Sequence, residues 1–188
     1  MPRFNTYLDY ADLEPLKECC LEHGTPHVYM RGEKFVQEGE VCRYVGYVRS
    51  GYFKYATLKS SGEYAVGGFV FAGEFVTDFY NSFYGIPSEV SVIAGCDAEV
   101  LRVPMSAFVK LLENDAMLKD MLGALYRTIY HRYIEIYRYT TEERYIKLLS
   151  DHPDIFEQAT LKDIASYLMI SPIYLSRLRK KLYGNQSK

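Results

Sequence analysis

Residues Thr160 to Leu182 read TLKDIASYLMISPIYLSRLRKKL, and this stretch decides the architecture of the C-terminal part of the chain. Thr160, with Asp163 three residues on, marks a helix start. The segment Leu161 to Leu168 then sets Ile164, Ala165 and Leu168 on one face, with Ala165 small where a second helix would cross. Ser171 is a suitable N-cap, and Pro172 suits the first helical position, where its missing N–H costs nothing. The helix that follows places Leu175, Leu178 and Leu182 inside and Tyr174, Ser176, Arg177, Arg179, Lys180 and Lys181 outside. Two short helices, a tight turn and a polar, basic outer face meet the specification of a helix-turn-helix. The bland alternative is a helical hairpin whose basic face is simply solvated.

Such a motif is expected to lay its second helix in the major groove of DNA, where Arg177 offers two hydrogen bonds to a guanine edge. Ser171, at the positive end of that helix, suits a phosphate oxygen, while Arg179, Lys180 and Lys181 touch phosphates or stay in water. Thr160, Tyr174 and Ser176 complete the candidate DNA-binding set. The formal net charge of −2 for the chain hides an asymmetry. From Thr160 onward Lys162, Arg177, Arg179, Lys180, Lys181 and Lys188 are opposed only by Asp163.

Working toward the N-terminus, Thr140-Thr141-Glu142-Glu143 reads as a capping box opening a helix through Ile146, Leu148 and Leu149 to Asp151, with a hinge near Tyr139-Thr140. Before it, no Pro or Gly falls between Pro104 and Gly123, nor again until Pro153. Leu118, Leu122, Leu125, Ile129, Arg132, Ile136 and Tyr139 step by four and three, a heptad-like seam. Tyr126, Tyr130, Tyr133 and Tyr137 form a second stripe about 100° around the helix. A single long helix over 111–139 is expected, pairing one face with a second copy and the other with its own β-domain; the alternative is a broad core-facing stripe in a monomer.

From Pro26 to Pro104 the texture is β-rich. Short Val-, Tyr- and Phe-rich runs (Tyr44–Arg49, Tyr52–Leu58, Tyr64–Phe71, Glu89–Ile93 and Glu99–Val103) alternate with Gly-containing turns, the spacing of a sandwich or barrel. Residues 1–24 look partly helical, with Leu8, Leu13, Leu16, Cys20 and Leu21 among charges and an end near Gly24. With 48% hydrophobic residues the composition supports a packed core. Cys19, Cys20, Cys42 and Cys96 lack C-x-x-C spacing, so reduced thiols and no metal, cluster or other cofactor are expected. His23, His27, His131 and His152 show no paired ligand spacing, and neither G-x-S-x-G nor a phosphate loop occurs, which argues against an enzyme. The N-terminus has no basic-then-apolar signal and no apolar run reaches spanning length, so a soluble, cytoplasmic protein without a membrane partner is expected.

Taken together, these elements resemble the Crp/Fnr family of bacterial transcription regulators. The resemblance rests on Arg31-Gly32-Glu33, Glu38-Gly39-Glu40, Tyr44-Val45 with Val48-Arg49-Ser50-Gly51 and Lys54, Phe71-Ala72-Gly73-Glu74-Phe75, and the helix-turn-helix. It implies an α+β fold: a cyclic-nucleotide-binding-like β-roll sensor domain of double-stranded β-helix (jelly-roll) type at 1–110, a dimerisation helix at 111–139, and a helix-turn-helix domain at 140–188. It also implies a homodimer through Leu118–Tyr139, with DNA as partner, and an effector pocket built from Gly73, Glu74, Phe75, Ser88 and Tyr130. Three departures qualify this. Where members that bind a cyclic nucleotide carry an Arg-Ser pair, this chain reads Pro87-Ser88-Glu89, so its effector, of unknown identity, is expected not to be cyclic AMP. Met169 stands at a turn position suited to Gly, and only six residues follow Leu182, too few for the usual wing. Ile170 to Gly184 also resembles a recognition helix of AraC-type regulators, which carry two such motifs where one is found here. The implied function is sequence-specific DNA-binding regulation. The alternative is a ligand-binding sensor that acts through protein contacts with a degenerate DNA-binding domain.

Overall fold

Alternating apolar residues and punctuating turns between Thr25 and Pro104 resolve into eight strands in a computed structural model that describes residues 4–5, 12–111 and 115–184. They are β1 (Thr25–Tyr29), β2 (Lys34–Val36), β3 (Tyr44–Ser50), β4 (Tyr52–Leu58), β5 (Tyr64–Phe71), β6 (Phe75–Val76), β7 (Ser91–Ala94) and β8 (Ala98–Pro104). Two antiparallel four-stranded sheets result, ordered β1-β8-β3-β6 and β2-β7-β4-β5. The inward residues of both sheets, among them Val48, Val76 and Val100 from one and Phe53, Val70 and Val92 from the other, form the core between them. The expected β-roll is therefore present. β1, β2 and β6, which lie outside the alternating runs, were not anticipated from sequence pattern.

Helices cover both outer faces. Against the first sheet lie α1 (Glu14–His23), α3 (Met105–Leu111) and α4 (Asp115–Arg138), joined by the short α2 (Phe79–Tyr84). Leu16, Cys20, Phe108, Met121 and Ala124 pack there on Val45, Leu101 and Val103. The N-terminal helix runs from Glu14 to His23 with Gly24 as its C-cap, where its end is expected; Leu8 lies outside the described residues. Within the expected helix at 111–139, α4 runs from Asp115 to Arg138, and residues 112–114, between it and α3, lie outside the described residues.

The faces of α4 also differ from expectation. The side toward its own β-domain is Met121, Ala124 and Thr128, with Leu118, Leu122 and Leu125 half-buried beside it. Ile129 and Ile136, placed on the seam, are exposed together with Tyr126, Tyr130, Tyr133 and Tyr137. The exposed apolar stripe without a partner among the described residues is thus broader than the tyrosine column alone.

On the outer face of the second sheet sit α5 (Thr141–Asp151), α6 (Ile155–Gln158), α7 (Leu161–Tyr167) and α8 (Pro172–Gly184). Tyr145, Leu148, Ile155, Ile164, Leu168, Leu175 and Leu178 share one apolar cluster with Tyr52, Val66, Phe69 and Phe71 of β4 and β5. The capping box is realised: the Thr140 hydroxyl accepts from the Glu143 N–H at 3.3 Å, and the Glu143 carboxylate accepts from the Thr140 N–H at 2.8 Å. Between α7 and α8, Met169 has φ +60°, a left-handed conformation reached by no other described non-glycine residue. Its exposed side chain contributes little burial to set against that strain. Met169→Gly should relieve about 1 kcal/mol of left-handed strain, partly offset by greater freedom of the unfolded chain, for a net gain of about 0.5 kcal/mol. The expected reading is a higher urea midpoint at unchanged slope.

Candidate nucleic-acid interface and effector pocket

The helix-turn-helix geometry follows from short-range chemistry. Thr160 caps α7 by accepting from the Asp163 N–H at 3.2 Å, and the Ser171 hydroxyl accepts from the Tyr174 N–H at 3.1 Å at the start of α8. Ala165, Ile164 and Leu168 are buried against Leu175 and Leu178, so the two helices cross at the small residue as expected. On the outer side of α8, Ser171, Tyr174, Arg177, Lys180 and Lys181 are exposed, and Ser176 and Arg179 are partly covered. Two of the cations are engaged within the domain. The Arg179 guanidinium lies 4.0 Å from the centre of the Phe156 ring, and Lys181 Nζ pairs with Glu142 at 3.0 Å. Arg177 and Lys180 are the exposed cations of α8 with no ion pair among the described residues. Thr160 faces its own β-domain, where its N–H donates to the Tyr52 hydroxyl at 3.4 Å. Lys188 lies outside the described residues.

Asp163 carries a role that local sequence did not signal. Its carboxylate, 6% exposed, accepts from Lys54 Nζ at 2.6 Å and from the Tyr52 hydroxyl at 2.9 Å. Burial, and next the Asp163 charge, push the Tyr52 hydroxyl up to about 12, so it remains a donor at neutral pH. Gly95 makes the arrangement sterically possible, because a Cβ there would fall 2.0 Å from the Tyr52 ring. Beside this pair the Val66 N–H donates to Ser166 Oγ at 3.0 Å. Together these bonds fix α7 against β4 and β5 in one orientation, and through α7 they set where α8 points.

The residues expected to line an effector pocket have the following surroundings in the structure. Phe75 is buried in the cluster beneath α1 and α3, and Gly73 (φ +87°) serves the turn before it. Ser88 is buried, its hydroxyl proton shared between Asp78 at 2.5 Å and the Val90 carbonyl at 2.8 Å. Tyr130 is exposed and stacks on Tyr126, ring centres 5.7 Å apart. Only Glu74 keeps a buried, inward carboxylate, at 2% exposure.

Its partners come from the chain's own N-terminal segment. Glu74 Oε1 accepts from the Asn5 N–H at 2.9 Å, and Oε2 accepts from Asn5 Nδ2 at 2.7 Å and from the Phe71 N–H at 3.0 Å. Burial raises the Glu74 pKa, against the lowering effect of the Asn5 and Phe71 donors and of the nearby Arg132 charge. Arg132, read from sequence as a charged break in an apolar seam, donates to the Phe4 carbonyl at 2.9 Å and lies 4.5 Å over the Phe4 ring. That ring also meets Phe69 and Phe71 of β5, His152 beside α5 and Tyr167 of α7. Phe4 and Asn5 therefore join the β-domain, α4 and the C-terminal helices. Nothing in residues 1–24 signalled this, since an isolated Phe-Asn pair has no pattern.

Comparison with known proteins agrees with this architecture. Residues 26–115 match the cyclic nucleotide-binding domain. FixK2 from Bradyrhizobium japonicum superposes with a TM-score of 0.73 at 20% identity, covering 87% of this chain and 86% of that one. TTHA1359, a transcriptional regulator of the CRP/FNR family from Thermus thermophilus, gives 0.65 at 14% identity over 86% and 87%. The c-di-GMP responsive global regulator CLP from Xanthomonas campestris gives 0.64 at 16% identity over 93% of both chains. No curated protein matches the sequence. Among the described residues no helix is long and apolar enough to cross a membrane.

Two measurements test the site. Asp163→Ala leaves the half-buried Lys54 without its counter-charge and should cost about 3 kcal/mol, with much of the loss restored by adding Lys54→Met. Equal unfolding midpoints for wild type and Asp163→Ala would show that the pair does not hold α7. For Glu74, a pKa raised by folding means that the folded chain binds the proton more tightly than the unfolded one. Its contribution to stability is then full below the ordinary carboxylate value of 4.5 and is lost as pH rises through the folded value. The stability of wild type relative to Glu74→Gln should therefore fall with rising pH across the weakly acidic range; a flat difference contradicts the burial argument.

Proposed function

This chain has the Crp/Fnr fold, its residues 26–115 matching the cyclic nucleotide-binding domain, and on that premise we propose that it is a homodimeric, sequence-specific DNA-binding transcription regulator. The observation that carries the reading is α8: its apolar side is buried under α7 while Tyr174, Arg177 and Lys180 stand on an exposed, capped helix. That is the face a recognition helix offers to base edges and phosphates. In this reading the chain divides into a sensor domain at 1–110, a dimerisation helix at 111–139 and a DNA-binding domain at 140–188. Ile129, Tyr133, Ile136 and Tyr137, exposed along α4, form the dimer face. Two copies related by a twofold axis would present two α8 helices to half-sites one helical turn apart.

Arg177 reads a base, and Lys180 is the principal phosphate contact; Lys181 and Arg179 position α8 through Glu142 and Phe156. Small-molecule control at Glu74 requires Asn5 to leave its carboxylate. The absence of an Arg at Pro87-Ser88-Glu89 supports an effector other than cyclic AMP.

Binding-site selection with the full-length protein tests the reading. The expected outcome is a roughly palindromic site with half-sites about 34–36 Å apart. Arg177→Ala should relax base preference at one position in each half-site at a cost of about 1–3 kcal/mol. Lys180→Ala should weaken all sequences alike and flatten the salt dependence. Recovery of unrelated sequences with uniform affinity would sink the proposal and leave a sensor that works through protein contacts.

A further inference from the structure

A cleft of about 510 Å³ opens between α4, α5, the edge of β5 and the turn after α7. Glu74 does not line it, and the exposed face of α8 lies elsewhere. Its walls carry the cationic side chains Arg132, Arg144 and Lys147 against two carboxylates, Glu135 and Asp151. Both carboxylates serve one cation: Lys147 Nζ lies 2.7 Å from Asp151 and 3.6 Å from Glu135. Neither Arg132 nor Arg144 has a carboxylate within ion-pair distance among the described residues.

The two arginines are held in place by groups that leave donors unspent. Arg132 uses one terminal nitrogen on the Phe4 carbonyl and, at 3.5 Å, on Asn5 Oδ1. Arg144 uses one on Thr141 Oγ1 at 3.4 Å, and its buried Nε has no hydrogen-bond partner among the described residues. A guanidinium has five N–H donors in a planar fork that matches phosphate and carboxylate oxygens. Positive charge in excess, donors without acceptors and a sheltered volume of ligand size are the requirements of an anion site.

We propose that this interdomain cleft binds a small polyanion carrying two or more phosphate or carboxylate charges, gripped by Arg132 from α4 and Arg144 from α5. The site is separate from the DNA reading of α8 and does not depend on it. Its position has a consequence. Leu168 and Met169, in the turn that leads into α8, form part of the same wall, and Phe4 forms another. A bound anion ties α4 to α5 and to that turn, so it stabilises the arrangement in which the C-terminal helices rest on β4 and β5.

The test is calorimetric titration and thermal unfolding of the full-length protein with inorganic pyrophosphate and, separately, citrate, at ionic strength held constant with chloride. Saturable binding of at least one probe with a raised Tm is expected, and the two probes tell phosphate from carboxylate preference. Arg144→Gln should weaken binding by about tenfold or more. Lys59→Gln, which removes an exposed lysine in the turn between β4 and β5, should bind as wild type does. Where Arg144→Gln loses the wild-type circular dichroism, Arg144→Lys replaces it. That variant keeps the charge but loses the fork, and should bind about threefold more weakly or worse. No saturable binding of either probe overturns the proposal, as does an arginine variant within about twofold of wild type. Loss of binding in Lys180→Gln in place of the Arg144 variants also overturns it, because that places the anion on α8.

Discussion

A single buried carboxylate, Asp163, holds the two halves of this chain in register. Its two donors, Tyr52 and Lys54, lie two residues apart on β4 and so project from the same face of the sheet. Desolvating a carboxylate and an ammonium is costly, and the cost is met only where geometry is good and remaining lone pairs are filled. Here the second oxygen is filled by the Tyr52 hydroxyl, which burial and the Asp163 charge keep protonated. The pair contributes direction more than net stability. An apolar patch alone would let α7 slide on Phe69 and Phe71, whereas the two short bonds admit one orientation. The placement of α8, and with it the face that carries Arg177, inherits that orientation.

A second buried carboxylate, Glu74, shows the same physics put to a different use. The fold offers it an inward-facing position in the turn before β6, and the chain answers with its own Asn5 amide and backbone N–H. Three donors meet it, and Arg132 lies near enough to favour its charged form. The segment that does this is anchored by Phe4, whose ring touches elements from both halves of the chain. The buried carboxylate of the β-domain, the helix α4 and the C-terminal helices therefore meet around two residues.

Much of the fold was legible because the signals are local. The Ser171-Pro172 start, the Thr140–Glu143 capping box and the strained Met169 turn all involve groups within four residues, where bond formation depends on the nearby backbone alone. The runs forming β4 and β5 were equally plain, because seven or eight residues rich in Val, Tyr and Phe between turn signals suit strands covered on both faces. β2 and β6 escaped because three or two residues hold no period. On α4 the seam through Ile129 and the stripe through Met121, Ala124 and Thr128 have the same helical spacing. Periodicity says that a face is apolar, not which neighbour will cover it.

What the sequence determined by itself is the kind of molecule: a β-roll, a long helix and a capped helix-turn-helix with a basic outer face, each specified by short-range patterns. Only the tertiary structure decided which cations remain available, which carboxylates are buried, and where the chain leaves room for a ligand. Lys54 and Asp163 are 109 residues apart, and Asn5 and Glu74 are 69 apart. Charges so distant in sequence carry no mutual trace in it, since their pairing depends on packing that brings both out of water at one place.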